Sequence, residues 1–218
     1  MTMTVTAIEE YRKNKFKIYL NDAFAFVLYK GDLRHFDLSE GKELSDATLD
    51  QIREEVLIKR ARMRAMHLLQ SRDYTEEAMR GKLKEGLYPL DVIEDAVSYV
   101  KQYHYIDDNR YAMSYLEAHA ASLSSKQIRE KLRQKGIRAD VIEACFLAYE
   151  EESGTDRTEM EMQLLCSQMK KKLRTLPGGS GEMQDYAARQ KLLAFFYRKG
   201  FAPSMIEKAY EQVMSERD

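Results

Sequence analysis

Three short segments of this chain repeat one pattern: Asp91-Val92-Ile93-Glu94, Asp140-Val141-Ile142-Glu143 and Ser204-Met205-Ile206-Glu207. Three, four and seven positions after each isoleucine come Ala96, Val97 and Val100; Cys145, Phe146 and Tyr149; Ala209, Tyr210 and Val213. That spacing lays an apolar stripe along one side of a helix. Fourteen and ten residues before each isoleucine stand a second apolar pair, Met79 with Leu83, Ile128 with Leu132 and Leu192 with Phe196, so a shorter helix precedes each copy. A longer helix comes before each hairpin: Glu54 to Gln70, Asp108 to Ser122, and Thr158 to Thr175, the last with Met162, Leu165, Cys166, Met169, Leu173 and Leu176 on one side.

The expected fold is therefore mainly α: three tandem three-helix repeats, each burying only part of its stripe alone, stacked into a curved, elongated rod. The third copy lies further from the second than the second from the first. Glu150 to Asp156 and the loop Pro177-Gly178-Gly179-Ser180-Gly181 are expected to absorb the excess. Asp91, Asp140 and Ser204 read as N-caps, with Glu three positions on reaching back to close a capping box. Gly136 and Gly200, six residues before their isoleucines, read as left-handed helix ends, while the first copy carries Gly86 one residue out of register. Composition agrees: 33% of residues are charged, with only Gly 10 and Pro 3, which favours solvated helices over a loop-rich sandwich.

The beginning differs. Phe16-Lys17-Ile18-Tyr19-Leu20 and Phe24-Ala25-Phe26-Val27-Leu28 flank Asn21-Asp22-Ala23 and predict a β-hairpin, with a strand over Thr4 to Glu10 available to pair. So small a sheet must lean on the next helix or on a partner. Ser45-Asp46 starts that helix, which reads as continuous from Thr48 to Ser71. The domains expected are residues 1–46, an N-terminal extension; 47–105, repeat one; 106–151, repeat two; and 152–218, repeat three.

No catalytic constellation emerges. His35, His67, His104 and His119 have no metal-ligand spacing with one another or with Cys145 and Cys166, and no phosphate loop or nucleophile elbow is present. The expectation is a non-enzyme without metal or cofactor. Asp107-Asp108 could hold a cation or simply open a helix. Tyr111 and Tyr115 could be core or stacking platforms. With Lys+Arg 35 against Asp+Glu 36, any affinity for a polyanion must come from local patches. The densest is Lys126, Arg129, Lys131, Arg133, Lys135 and Arg138, which meets one acid, Glu130. Lys126, Arg129 and Arg133 share a stripe beside Ile128 and Leu132, a partner surface or a solvated face. Lys170, Lys171 and Lys172 form another run, late in a helix where cations also favour the helix dipole. Lys59, Arg60, Arg62, Arg64 and Arg72 form a third. Met1 to Tyr11 carries no basic region followed by an apolar core, and the longest apolar run, Ala23 to Tyr29, cannot span a bilayer, so no secretory signal and a cytoplasmic location without membrane contact are expected.

Ile106-Asp107-Asp108-Asn109-Arg110-Tyr111-Ala112 and Ile128-Arg129-Glu130-Lys131-Leu132-Arg133-Gln134-Lys135-Gly136-Ile137 resemble the middle repeat of the RecX family. The N-terminal hairpin is similar to an extension that some members carry. Where the family usually has a glycine and more basic residues, this chain has Ser122-Leu123-Ser124-Ser125-Lys126-Gln127, in which Ser124 and Gln127 still form a capping-box pair. The resemblance implies a monomeric regulator, mainly an inhibitor, of the RecA recombinase, lying along the RecA filament on single-stranded DNA, with Arg110 joining the basic residues above at the contact. The alternative is a helical-repeat protein that binds single-stranded DNA directly and competes for the strand.

Overall fold

The computed structural model describes residues 2–154, 156–175 and 186–216. The chain divides into two compact units, Met1–Asp107 and Asp108–Asp218.

The first unit opens with β1 (Met3–Arg12), β2 (Lys15–Leu20) and β3 (Ala23–Tyr29), followed by a short α1 (Lys30–His35) and β4 (Glu43–Leu44). The sheet order is β3-β2-β1-β4, and its strand pairs are antiparallel. The hairpin turn is two residues rather than three: Asn21 and Asp22 take φ of 48° and 67°, while Ala23 already belongs to β3. Both central residues at positive φ match the right-handed twist of the strands they join, and Asn and Asp tolerate that conformation. Val5, Ile18, Leu20, Phe26 and Leu28 are buried and belong to the same hydrophobic cluster as Ile52, Leu57, Ile58, Ala61 and Ala65. The sheet and the first repeat thus share one core, which is how so small a sheet is held.

The helix expected from Thr48 to Ser71 is interrupted. It begins as α2 (Asp46–Ile52), passes through a π-helical stretch at Arg53–Ile58 and continues as α3 (Lys59–Leu69). A π turn rephases the residues that follow it; Ile52 before it and Leu57 and Ile58 within it are all buried. Ser45 caps the start, its side chain accepting from the Thr48 amide at 3.2 Å. The repeat is completed by α4 (Glu76–Glu85) and α5 (Leu90–Gln102).

The second unit holds α6 (Asp108–His119), α7 (Ser125–Gln134) and α8 (Ala139–Ser153), then α9 (Arg157–Arg174), α10 (Tyr186–Arg198) and α11 (Pro203–Ser215). Ile128, Leu132, Ile142, Cys145 and Phe146 centre one core; Leu192, Phe196, Ile206, Ala209 and Val213, under Leu165, Met169 and Leu173, centre the next. Part of the extra length of the third copy is helix: α9 has 18 residues where α6 has 12, and Glu150 to Ser153 continue α8. The expected loop Pro177 to Gly181, and Leu176 of the predicted stripe, lie outside the described residues.

Two expectations are corrected. The helices of the Ile-Glu signature begin earlier than supposed, with Pro89, Arg138 and Ala202 at the N-cap and no side-chain cap bond. Asp91, Asp140 and Ser204 lie in the first turn instead, where the aspartates suit the positive end of the helix dipole; Pro203 opens α11, where its missing N–H costs nothing. The glutamates do not reach back to a cap. Glu94 accepts from Arg80 Nε at 2.9 Å and Glu143 from Arg129 Nε at 2.9 Å, so the signature ties α5 to α4 and α8 to α7. The third copy has Leu193 at the arginine position and no such tie.

The off-register glycine has a separate reason. Gly136 and Gly200 take φ of 82° and 88°, and the matching residue of the first repeat is Leu87 at 61°. The left-handed position is kept while Gly86 is an ordinary helix end. A β-carbon on Gly86 would stand 3.0 Å from the Leu83 carbonyl oxygen and from the Tyr88 ring. Gly86 is there for close approach.

On Gly200 a β-carbon would meet both a left-handed backbone and Ser124 Oγ at 3.0 Å. Gly200→Ala is expected to cost about 1–2 kcal/mol, lowering Tm by roughly 2–8 °C for a chain of this size. Thermal unfolding followed by circular dichroism checks this.

Candidate partner-binding surface

The Ser122 to Gln127 segment, where this chain departs from the pattern it resembles, is where repeats two and three join. Ser124 caps α7, accepting from the Gln127 amide at 3.2 Å, and Gln127 returns the contact to close the capping box. The Ser124 hydroxyl also donates to the Lys199 carbonyl at 2.7 Å. Ser125 donates its amide and hydroxyl to the Glu161 carboxylate at 2.9 Å and 2.6 Å. Arg157 Nε in turn donates to the Ser125 hydroxyl at 3.1 Å, and Gln168 Nε2 donates to the Ser122 carbonyl at 2.9 Å. Ser124, Ser125 and Arg157 are all buried. Burial pulls the Arg157 pKa below its ordinary value, with Glu161 opposing the shift; a guanidinium keeps its proton even so. Small side chains let the backbones approach here, and hydroxyls serve both as cap and as cross-link.

This seam gathers some of the predicted basic residues and disperses others. Lys126 Cβ lies 3.1 Å from where a β-carbon on Gly200 would stand. Next to that glycine, Lys199 Nζ donates to Gln168 Oε1 at 2.9 Å and sits 5.1 Å from the centre of the Phe195 ring. Lys172 Nζ lies over the same ring at 5.0 Å. Lys171, Lys172, Lys199, Thr175 and Phe195 line a shallow cleft of about 290 Å³. Lysines of α7, α9 and the turn after α10 thus converge. The sequence reading missed Lys199 and Phe195 because Lys199, with only Arg198 beside it, forms no longer basic run, and only the seam brings it to the others.

Elsewhere several of the cations are committed within the fold. Arg129 holds Glu143 with both Nε and Nη2 and lies 3.8 Å over the Phe146 ring. Arg138 pairs with Asp140 at 2.6 Å, Lys170 pairs with Glu216, and Lys135 lies 5.5 Å from the rings of both Tyr111 and Tyr115. Those tyrosines pack against the repeat-two core. Lys131, Arg133 and Arg110 are exposed. In the first unit, Arg60 grips Asp32 and Arg62 grips Asp95, so these two members of that run brace the fold. Cys145 and Cys166 are buried and free, the Cys145 thiol pushed up to about 11 by burial. Among the described residues no group of His, Cys, Asp and Glu could hold a metal ion, and no helix is long and apolar enough to cross a membrane.

Known proteins align with this arrangement repeat by repeat. Family profiles for the first, second and third three-helix domains of RecX match residues 61–99, 107–145 and 159–210. Together they span more than half of the chain. The regulatory protein RecX of Bacillus subtilis (strain 168) is 26% identical over 98% of this chain and 78% of its own length. That of Clostridium botulinum (strain Alaska E43 / Type E3) is 28% identical over 97% of this chain and 96% of its own. A crystal structure of regulatory protein RecX, 26% identical, superposes with a TM-score of 0.62 over 96% of this chain and 99% of that one. The fold of RecX from Lactobacillus salivarius, 20% identical, matches with a TM-score of 0.59 over 72% of this chain and 96% of its own.

The Arg129 guanidinium holds the Glu143 pKa below its ordinary value. A carboxylate whose pKa is depressed by folding stabilises the fold above its unfolded pKa, near ~4.3 for Glu, and the benefit fades as pH falls through the folded value. Glu143→Gln is expected to be less stable than the parent at pH 7, by at most ~1 kcal/mol for a half-exposed pair. The gap should narrow progressively as the pH is lowered through and below the unfolded value, as read by urea unfolding across the range.

Proposed function

The chain belongs to the RecX family, and from that premise we propose that it regulates the RecA recombinase, mainly as an inhibitor, by binding along the RecA filament on single-stranded DNA. The observation that carries this reading is the match of three consecutive three-helix domains in family order, with relatives named as regulatory proteins over nearly the full chain. The action proposed is non-enzymatic and cytoplasmic, carried out by a monomer. Several weak contacts, one per repeat, would combine into a high effective affinity for a repeating partner. Held there, the protein obstructs ATP hydrolysis, strand exchange or filament extension.

The contact we favour is the seam of repeats two and three, with Lys126, Lys171, Lys172 and Lys199 meeting an acidic surface of the filament and the exposed Lys131, Arg133 and Arg110 flanking it. Arg129, Arg138 and Lys170, each already paired with a carboxylate, serve mainly to shape that surface. The second reading, direct competition for the DNA strand, draws on the same lysines because a phosphate backbone also suits them.

Titrating the protein into RecA with single-stranded DNA should lower ATP hydrolysis and strand exchange at stoichiometric amounts; no effect there refutes the proposal. Lys126→Glu with Lys199→Glu should raise the half-inhibitory concentration roughly tenfold while leaving the helical circular dichroism signal unchanged. Inhibition that tracks affinity for bare strand, rather than for coated strand, would favour the second reading.

A further inference from the structure

The N-terminal sheet has one face in the core and one in water, and the wet face is unusual. The register sets Tyr19 beside Phe24 and Lys15 beside Tyr29, with Glu9 opposite Lys17. Tyr11, Phe24 and Tyr29 are 37%, 41% and 38% exposed, and the Tyr19 and Phe24 rings meet edge to face at 5.9 Å. Cations lie over the rings: Arg12 and Lys17 at 5.0 Å and 4.9 Å from the centre of Tyr11, and Lys15 at 5.1 Å from that of Tyr29. On α3, Arg60, which also lies 4.4 Å from the centre of the Tyr29 ring, and Arg62 are bound to carboxylates, whereas Arg12, Lys15 and Lys17 enter no ion pair among the described residues. Glu9 accepts from the Tyr19 hydroxyl at 3.0 Å, which fixes the one acid in the middle of the face.

We propose that this face is a binding platform for single-stranded nucleic acid, the rings stacking on bases and Arg12, Lys15 and Lys17 tracking the phosphates. The choice of partner follows from having both elements interleaved. An acidic peptide would use the cations and leave the rings wet; an apolar peptide would use the rings and bury unpaired lysines. A single strand presents a π-face and an anion at every residue, so it can use rings and cations together. A duplex hides its base faces and could use the cations alone. The inference goes beyond both readings above, since it places contact with bare strand on a different part of the chain from the lysine seam.

The test uses the full chain with a labelled oligothymidylate and no RecA, so that its failure is separate from that of the regulatory proposal. Fluorescence anisotropy at low salt should show binding, weaker to a duplex of equal length. The chain has no tryptophan, so its tyrosine emission should fall as bases stack. Tyr11→Ala with Phe24→Ala should weaken binding about tenfold or more, and Tyr11→Phe should bind as the parent does. Lys15→Gln with Lys17→Gln, a surface pair that cannot empty the core, should flatten the log-log salt slope by about 1.4. The proposal is overturned by absence of binding, by equal affinity for duplex, by an unchanged salt slope in the lysine pair, or by parental affinity in a ring variant that keeps its far-ultraviolet spectrum.

Discussion

The middle helix of a repeat is too short to stand by itself. α4 and α7 have 10 residues each, below the length at which an isolated helix persists in water, so they exist because two side chains one turn apart are buried. Met79 with Leu83, Ile128 with Leu132, and Leu192 with Phe196 are at most 3% exposed. Each pair shares a buried core with the isoleucine near the start of the following helix. Truncating any one would leave a cavity in a small core, at about 2–5 kcal/mol. The remaining structure is arranged around that burial: the left-handed residue that turns the chain between the two helices, and the long first helix that covers what they leave open.

Charge then divides according to whether a repeat needs help with that packing. In the first two repeats an arginine on the short helix clasps the glutamate after the isoleucine, closing the hairpin from outside. The third dispenses with the clasp and replaces the arginine by a partly buried leucine, Leu193, gaining apolar contact instead. Arg189 lies over Tyr210 at 5.1 Å in the same hairpin, so a cation still crosses between the helices, bound to a ring. Cations clasped by a carboxylate, as Arg80 and Arg129 are, are poor candidates for a partner, because a partner must first break what they already hold. Distance to a carboxylate thus sorts a uniform-looking basic sequence into braces and contacts.

Much of this was legible in the sequence. The repeats, their stripes, the hairpin, the Ser45 start and the Ser124 capping box follow from periodicity and side-chain chemistry, which act within a few residues. The errors arose where longer-range contacts decide. Asp91 and Asp140 look like caps, yet proline geometry and an extended residue before them start the helix sooner. Gly86 looks like the turn residue, yet the backbone hands that part to Leu87 because Tyr88 needs the space over Gly86. The π turn at Arg53–Ile58 leaves no compositional trace. The candidate surface was half legible: Lys126 and the α9 lysines stand out as runs, while Lys199 is identified only by what the seam places beside it.

That seam also explains why the middle turn departs from the pattern it resembles. A glycine before α7 would end the preceding loop, but it could neither cap the helix nor reach another repeat. Serine at 124 does both with one hydroxyl, accepting from its own helix and donating to the Lys199 carbonyl, and serine at 125 gives two donors to Glu161. Such buried groups are costly unless each is satisfied, so they tolerate few alternative ways of docking the two repeats. The hydrophobic stripes make the repeats attractive to one another in general terms; the hydroxyl contacts select one arrangement, and with it the positions of the lysines that line the cleft.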